Sequence, residues 1–79
     1  MAGVGGRAAV VTWTALNYMW VPQYSFKSAQ DGIAFLSRPG MSRIDTGHAR
    51  WSQDGDMWML QDDVLGVLWR LRRKHRVRG

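Results

Sequence analysis

The chain has 79 residues, a formal net charge of +5 and no cysteine. This length predicts a single domain that buries only roughly 60–65% of its unfolded surface, so its stability depends on dense packing, self-association or a partner. The absence of cysteine excludes a disulfide framework and a cysteine-based zinc site.

The chain begins with a glycine-rich stretch, and we interpret residues 1–7 as a flexible N-terminal arm. The next stretch, Ala9–Trp20, is rich in β-branched and aromatic residues, which favours a strand. A helix over Ala8–Met19 is the alternative, and Pro22 ends either element. Apolar residues dominate Ala8–Val21, but its 14 residues fall short of the ~20 that span a bilayer. An integral membrane span is therefore not expected.

Two hairpins are predicted next, at Tyr24–Ser37 and at His48–Leu60, because each contains an Asp-Gly pair, a favoured centre for a two-residue turn. In the first, a helix that begins after Asp31 is the alternative. The segment that joins the two hairpins, Ser37–Gly47, is predicted to be a loop or a short edge strand.

The second hairpin has a defined register if Asp54–Gly55 forms its loop. Trp51 then faces Trp58 across the two strands. The alternation of side chains gives one face with Ala49, Trp51, Trp58 and Leu60, and another with Arg50, Ser52, Met57 and Met59.

The last predicted element is a helix that begins near Asp62, a residue suited to the N-cap position. Its apolar side chains fall in one arc at 3.6 residues per turn: Val64, Leu65, Val67, Leu68, Leu71 and His75. Arg72 intrudes on this arc. The predicted fold is therefore α+β, a small antiparallel sheet (two Asp-Gly hairpins plus an N-terminal strand) packed by one C-terminal amphipathic helix. The domain is expected to span residues 8–71, so truncation after Leu71 is expected to preserve it.

The excess charge lies at the C-terminal end, where we interpret residues 72–79 as a basic tail. Residues 1–69 hold five Arg and Lys against six Asp, so their charge is 5 − 6 = −1 and the last ten residues carry +6. The six cations are Arg70, Arg72, Arg73, Lys74, Arg76 and Arg78. This cluster predicts binding to a nucleic acid backbone or another polyanion without sequence readout.

The sequence offers no set of side chains for catalysis. Asp54 and Asp62 have sufficient roles as turn and capping residues, and His48 and His75 are too few and too far apart for a metal site. We therefore expect a protein that is not an enzyme and that uses no metal and no cofactor.

A protein partner or a homo-oligomer is also expected, because so small a sheet leaves an apolar face uncovered. Arg50, Met57 and Met59 are the candidate residues for that interface, since methionine adapts to irregular partners. The alternative function is an accessory or structural subunit of a large assembly, such as a ribonucleoprotein or a virion, or a small inhibitor that docks on a partner enzyme. An anionic membrane or an acidic protein would attract the same cations. A cytoplasmic location, or one within a larger assembly, is favoured.

Overall fold

The computed structural model describes residues 9–41 and 43–77 of the chain. Within these ranges, five antiparallel strands form one sheet, together with one α-helix and one short 3₁₀ helix. The strands are β1 (Ala9–Asn17), β2 (Pro22–Phe26), β3 (Ala49–Asp54), β4 (Met57–Asp62) and β5 (Gly66–Val77). The α-helix, α1, spans Ala29–Leu36, and the 3₁₀ helix spans Ile44–Thr46. No helix in the described ranges is long and apolar enough to cross a membrane. The arm expected at residues 1–7 lies outside them.

The strands follow the spatial order β2-β1-β5-β4-β3, which places β5 at the centre of the sheet. Hairpin turns join β1 to β2, β3 to β4, and β4 to β5. The connection from β2 at one edge to β3 at the other contains α1, which packs on β5, β1 and β2. The sheet therefore has one face that carries the helix, which we call the helix face, and an opposite face, which we call the open face.

The predicted C-terminal helix is wrong. Residues 66–77 form β5, and the α-helix lies in the middle of the chain. The physical reason is a period of two: Trp69 and Leu71 alternate with Arg70 and Arg72, which suits a strand with one buried face. A helix would place Arg72 among apolar side chains, whereas the strand places it on the open face. The protein is therefore mainly β-sheet with one short helix, and the predicted α+β arrangement with a C-terminal helix is not the observed fold.

The predicted hairpin over Tyr24–Ser37 is also wrong, because this segment contains the end of β2 followed by α1. Ser28 caps the helix, and its hydroxyl oxygen accepts a hydrogen bond of 3.0 Å from the backbone N–H of Asp31. Small and apolar residues then follow the helical spacing i, i+3, i+4, i+7; they are Ala29, Gly32, Ile33 and Leu36. The Asp-Gly pair thus lies in the first turns of a helix. The alternative, a helix that begins after Asp31, lies closer to the observed element.

The second hairpin forms, but its turn is shifted by one residue. Asp54 pairs with Met57, so the loop is Gly55–Asp56 instead of Asp54–Gly55, and Trp51 faces Leu60. Gly55 occupies the first loop position with φ 61°, a conformation that glycine adopts without a steric penalty. Because the shift preserves the alternation along each strand, the predicted division of the hairpin into two faces agrees with the observed register.

The core lies on the helix face and is thin. Ala15, Leu36 and Leu71 are fully buried, and four tryptophans pack around them: Trp13, Trp51, Trp58 and Trp69. The indole N–H of Trp51 donates to the hydroxyl of Ser37 at 2.9 Å, which ties β3 to the end of α1. Gly32 allows α1 to approach the sheet, since a Cβ there would lie 2.8 Å from both methyl carbons of Leu71.

Asp62 organises the turn that leads into β5. Its buried carboxylate accepts hydrogen bonds from the backbone N–H groups of Val64 and Leu65, both at 2.8 Å, and it pairs with Arg43. Burial raises the pKa of this carboxyl, but the Leu65 N–H, the Arg43 side chain and the Val64 N–H together lower the pKa from 3.8 to about 2. The residue expected to cap a helix therefore caps a β-turn.

This geometry predicts a specific dependence of stability on pH. Because folding lowers the pKa of Asp62, the contribution of its carboxylate is complete above about pH 4 and is lost as the pH falls towards about 2. We expect Asp62→Asn to lower Tm at neutral pH. We expect the difference in Tm between this variant and the wild type to become smaller as the pH falls from about 4 to about 2. Thermal unfolding followed by circular dichroism measures both effects, with Asp45→Asn, at an exposed position, as the control. A difference that stays constant down to pH 2 would contradict this assignment.

Candidate nucleic-acid interface

Three cations form a row along the centre of the open face. Arg70, Arg72 and Lys74 occupy alternate positions of β5, so their side chains leave the same face of the sheet, opposite to the face on which Leu71 packs. At ~3.4 Å per residue, neighbouring members of the row are about 7 Å apart and its ends are about 14 Å apart. We call these three residues the cation row.

The strands on either side of the cation row supply polar and adaptable side chains. On β1, Thr12 lies opposite Lys74 and Thr14 lies opposite Arg72. On β4, Met57 and Met59 lie opposite Arg72 and Arg70. A groove of about 490 Å³ runs beside the row, and its lining residues are Thr14, Leu16, Pro22, Arg72, Arg73 and Lys74. The threonine hydroxyls are therefore placed to donate to an anion that the cations hold.

The cation row carries charge that the fold does not neutralise. In the part of the chain that the structure describes, no ion pair involves a member of the row. Arg72 and Lys74 are exposed, and Arg50 adds a further exposed cation on the outer strand β3 of the same face. Asp54 is the acidic residue that the register places on this face, also on β3. Four cations and one carboxylate give the described open face a charge of 4 − 1 = +3.

The structure separates the predicted polyanion-binding residues. Arg73 lies on the opposite face from the row, and its guanidinium pairs with the carboxylate of Asp56 at 3.0 Å. Arg76 lies in β5 opposite Val10, but its side chain lies outside the described residues, as does the whole of Arg78. The described cations that share one face are thus half of the predicted set.

The predicted protein-interface residues come to lie on that same face. Arg50, Met57 and Met59 project from β3 and β4 on the open face, and the two methionines adjoin the cation row. Met57 and Met59 are partly buried, whereas Arg50 is exposed. The sequence predicted two separate sets of residues, and the sheet places Arg50, Met57 and Met59 on the same face as the cation row.

Sequence reasoning missed the threonines of β1 and the aromatic residues at the end of the row. The guanidinium carbon of Arg70 lies 3.9 Å from the centre of the Trp20 ring, and its Nη1 donates to the Tyr18 carbonyl oxygen at 3.4 Å. The alternation of Trp69, Arg70, Leu71 and Arg72 is the signal that would have found this surface, because it assigns the cations to one face of a strand.

The arrangement is suited to binding an extended anion. A sheet surface with regularly spaced cations, hydroxyl donors and flexible thioethers can hold several phosphates without a covalent step. No protein family model matches the chain, and comparisons with the curated proteins and with the solved structures found no match.

Proposed function

We propose that this protein is a non-enzymatic binding protein whose open sheet face binds the phosphate backbone of nucleic acid without reading its sequence. The observation that carries the proposal is the cation row, three neighbouring cations on one face with no carboxylate partner in the described chain. Phosphate contacts of this kind release counterions and supply affinity that does not depend on the bases.

The flanking side chains support phosphate as the ligand. Hydroxyl donors recur at protein contacts to phosphate and sugar, and Thr12 and Thr14 lie opposite Lys74 and Arg72 in the register. Arginine also presents a planar fork of donors that matches phosphate oxygens. The proposed contact therefore combines point charge, forked donors and hydroxyl groups along one line of the sheet.

The test is a titration of a random duplex and of a single strand across salt concentrations, followed by fluorescence anisotropy. Three phosphate contacts predict that the logarithm of affinity falls with the logarithm of salt concentration with a slope of about 2.7 on duplex DNA. We expect Arg72→Gln to lower that slope by about 0.9 and to weaken binding roughly five- to tenfold at about 0.1 M salt.

Arg73→Gln is the matched control, because it removes one positive charge from the next residue of the same strand but from the opposite face. We expect it to change affinity less than Arg72→Gln does. Equal losses for the two variants would assign the binding to net charge instead of the open face. A binding affinity that does not respond to salt would contradict the proposal, as would binding to anionic vesicles but not to nucleic acid.

An accessory subunit of a larger assembly is the second candidate function. It is favoured by two large apolar side chains, Val64 and Leu65, which are 68% and 61% exposed in the turn between β4 and β5. Such side chains are typical of a surface that another protein covers. The same titrations test this candidate, because a subunit that makes only protein contacts has no salt-dependent affinity for free nucleic acid.

A further inference from the structure

The end of the cation row at Arg70 carries an exposed aromatic residue. Four of the five tryptophans pack around the core on the helix face. The fifth, Trp20, lies in the turn between β1 and β2 and is 51% exposed. Its ring contacts the guanidinium of Arg70, 3.9 Å from the ring centre to the guanidinium carbon, so it adjoins the last cation of the row. Tyr18, in the same turn, is 67% exposed.

The backbone of this turn holds Trp20 in an unfavourable conformation. Trp20 has φ 65°, in the left-handed region that a bulky side chain rarely adopts. Asn17 fixes the turn: its side-chain oxygen accepts from the N–H groups of Met19 and Val21 at 2.9 and 3.1 Å, and its carbonyl oxygen accepts from Trp20 N–H at 2.9 Å. A strained residue with an exposed ring contributes little to the core, and such strain is often retained where a side chain serves a binding site.

Aromatic rings beside a row of cations are the arrangement with which proteins bind single-stranded nucleic acid. The cations track the backbone and the rings stack on unpaired bases, which a duplex keeps within its own stack. The guanidinium of Arg70 lies over one face of the Trp20 ring, so a base would stack on the other face. Building on the function proposed above, we propose that the open face selects single strands over duplexes, with Trp20 as the base-stacking residue at the Arg70 end of the row.

The geometry of the row agrees with a single strand as the ligand. A single strand can bend and extend to bring successive phosphates to Arg70, Arg72 and Lys74 and still turn a base towards Trp20. A duplex can meet the row with phosphates alone, because its bases are paired and stacked. The difference between the two ligands is therefore the contact at Trp20, which a substitution can remove without changing the charges of the cation row.

The experiment compares three fluorescent probes: an oligothymidine of about 12 nucleotides, within the range of ~4–16 nucleotides that small single-strand-binding domains cover, a duplex of equal length, and an abasic oligomer of equal length. The variants are Trp20→Gly, which tolerates the positive φ of this position, and Trp20→Phe, which keeps a ring. Val64→Ala removes an exposed apolar side chain from the neighbouring turn and is the control.

We expect Trp20→Gly to weaken binding to oligothymidine by about 5- to 140-fold, the range for loss of one base–aromatic stack. Its affinity for the abasic oligomer is expected to stay within about twofold of the wild type, because the phosphates and the charges of the cation row are unchanged. Trp20→Phe is expected to keep most of the affinity for oligothymidine, and Val64→Ala all of it.

Other outcomes overturn the inference in distinguishable ways. Equal wild-type affinity for duplex and oligothymidine, or equal losses of Trp20→Gly on oligothymidine and on the abasic oligomer, would contradict stacking by Trp20 and leave binding by the cation row intact. Absence of salt-dependent binding to all three probes would overturn the proposed function and, with it, the inference. If Trp20→Gly loses binding to anionic vesicles but keeps its affinity for oligothymidine, Trp20 contacts a membrane surface instead.

Discussion

Truncation after Leu71 is expected to unfold the protein. The truncation removes Arg72–Val77, which is half of the central strand β5. These residues form six of the nine register pairs between β5 and β1, from Ala9–Val77 to Thr14–Arg72. At ~1 kcal/mol net per hydrogen bond and about one bond per pair, their loss costs roughly 6 kcal/mol. A domain of this size has a free energy of unfolding of only about 4–12 kcal/mol, from roughly 0.05–0.15 kcal/mol per residue. Circular dichroism and thermal melting measure the result.

A shorter truncation, after Val77, is the control for this experiment. It retains the whole of β5 and removes one cation, so we expect a cooperative melt close to that of the full chain. The sequence alone predicted the opposite result for truncation after Leu71, because it assigned the residues that follow to a tail. A truncated protein that melts cooperatively would show that β5 beyond Leu71 does not support the sheet.

Leu71→Ala is expected to lower the free energy of unfolding by about 2–5 kcal/mol. Leu71 is fully buried at the centre of the sheet, between Ala15 on β1 and Trp58 on β4, and α1 covers it. Removing a buried leucine side chain costs its transfer free energy and leaves a cavity that the surrounding structure fills only in part. Denaturant unfolding measures the change, and Leu65→Ala, at an exposed position, is the control.

The close approach of Gly32 to Leu71 allows a second test, in which the effect of Gly32→Ala on the free energy of unfolding changes sign between two backgrounds. A Cβ at Gly32 would lie 2.8 Å from both methyl carbons of Leu71, so we expect Gly32→Ala alone to be destabilising by about 1–3 kcal/mol through overpacking. In the Leu71→Ala background those methyl groups are gone, and the Phe26 ring, whose Cδ2 would lie 3.0 Å from the new Cβ, has space into which it can move. Gly32→Ala is then expected to stabilise by up to ~1 kcal/mol, because alanine favours the helix and fills part of the cavity. Additive effects in this double-mutant cycle would contradict the proposed packing.

Local patterns in the sequence were sufficient to predict some secondary-structure elements and insufficient to predict others. β-Branched and aromatic residues identified the strand that begins at Ala9, and Asp54–Gly55 located the second hairpin within one residue of its turn. The segment after Asp62 satisfied a helical period and a strand period at once. Strand pairing favours the strand, because a strand at this position forms hydrogen bonds with both β1 and β4. This stabilisation depends on residues that are distant in sequence, so local patterns do not reveal it.

The first helix was missed for a related reason. The Asp-Gly pair at Asp31 is a local turn signal, but the capping hydroxyl of Ser28 and the burial of Leu36 favour a helix. The candidate site was predicted in composition but not in geometry. The sequence identified the cations of β5, whereas the separation of Arg73 from Arg72 by the plane of the sheet requires knowledge that the segment is a strand.

The central position of β5 has a consequence for how the protein folds during synthesis. The ribosome produces β5 last of the five strands, yet β1 and β4 both pair with it. Until then the nascent chain holds two separate hairpins, β1–β2 and β3–β4, and isolated two-stranded hairpins are marginally stable in water. Their unpaired edges would be open to aggregation or to chaperones during this interval. Complete folding must therefore wait for the strand that also carries the proposed binding surface.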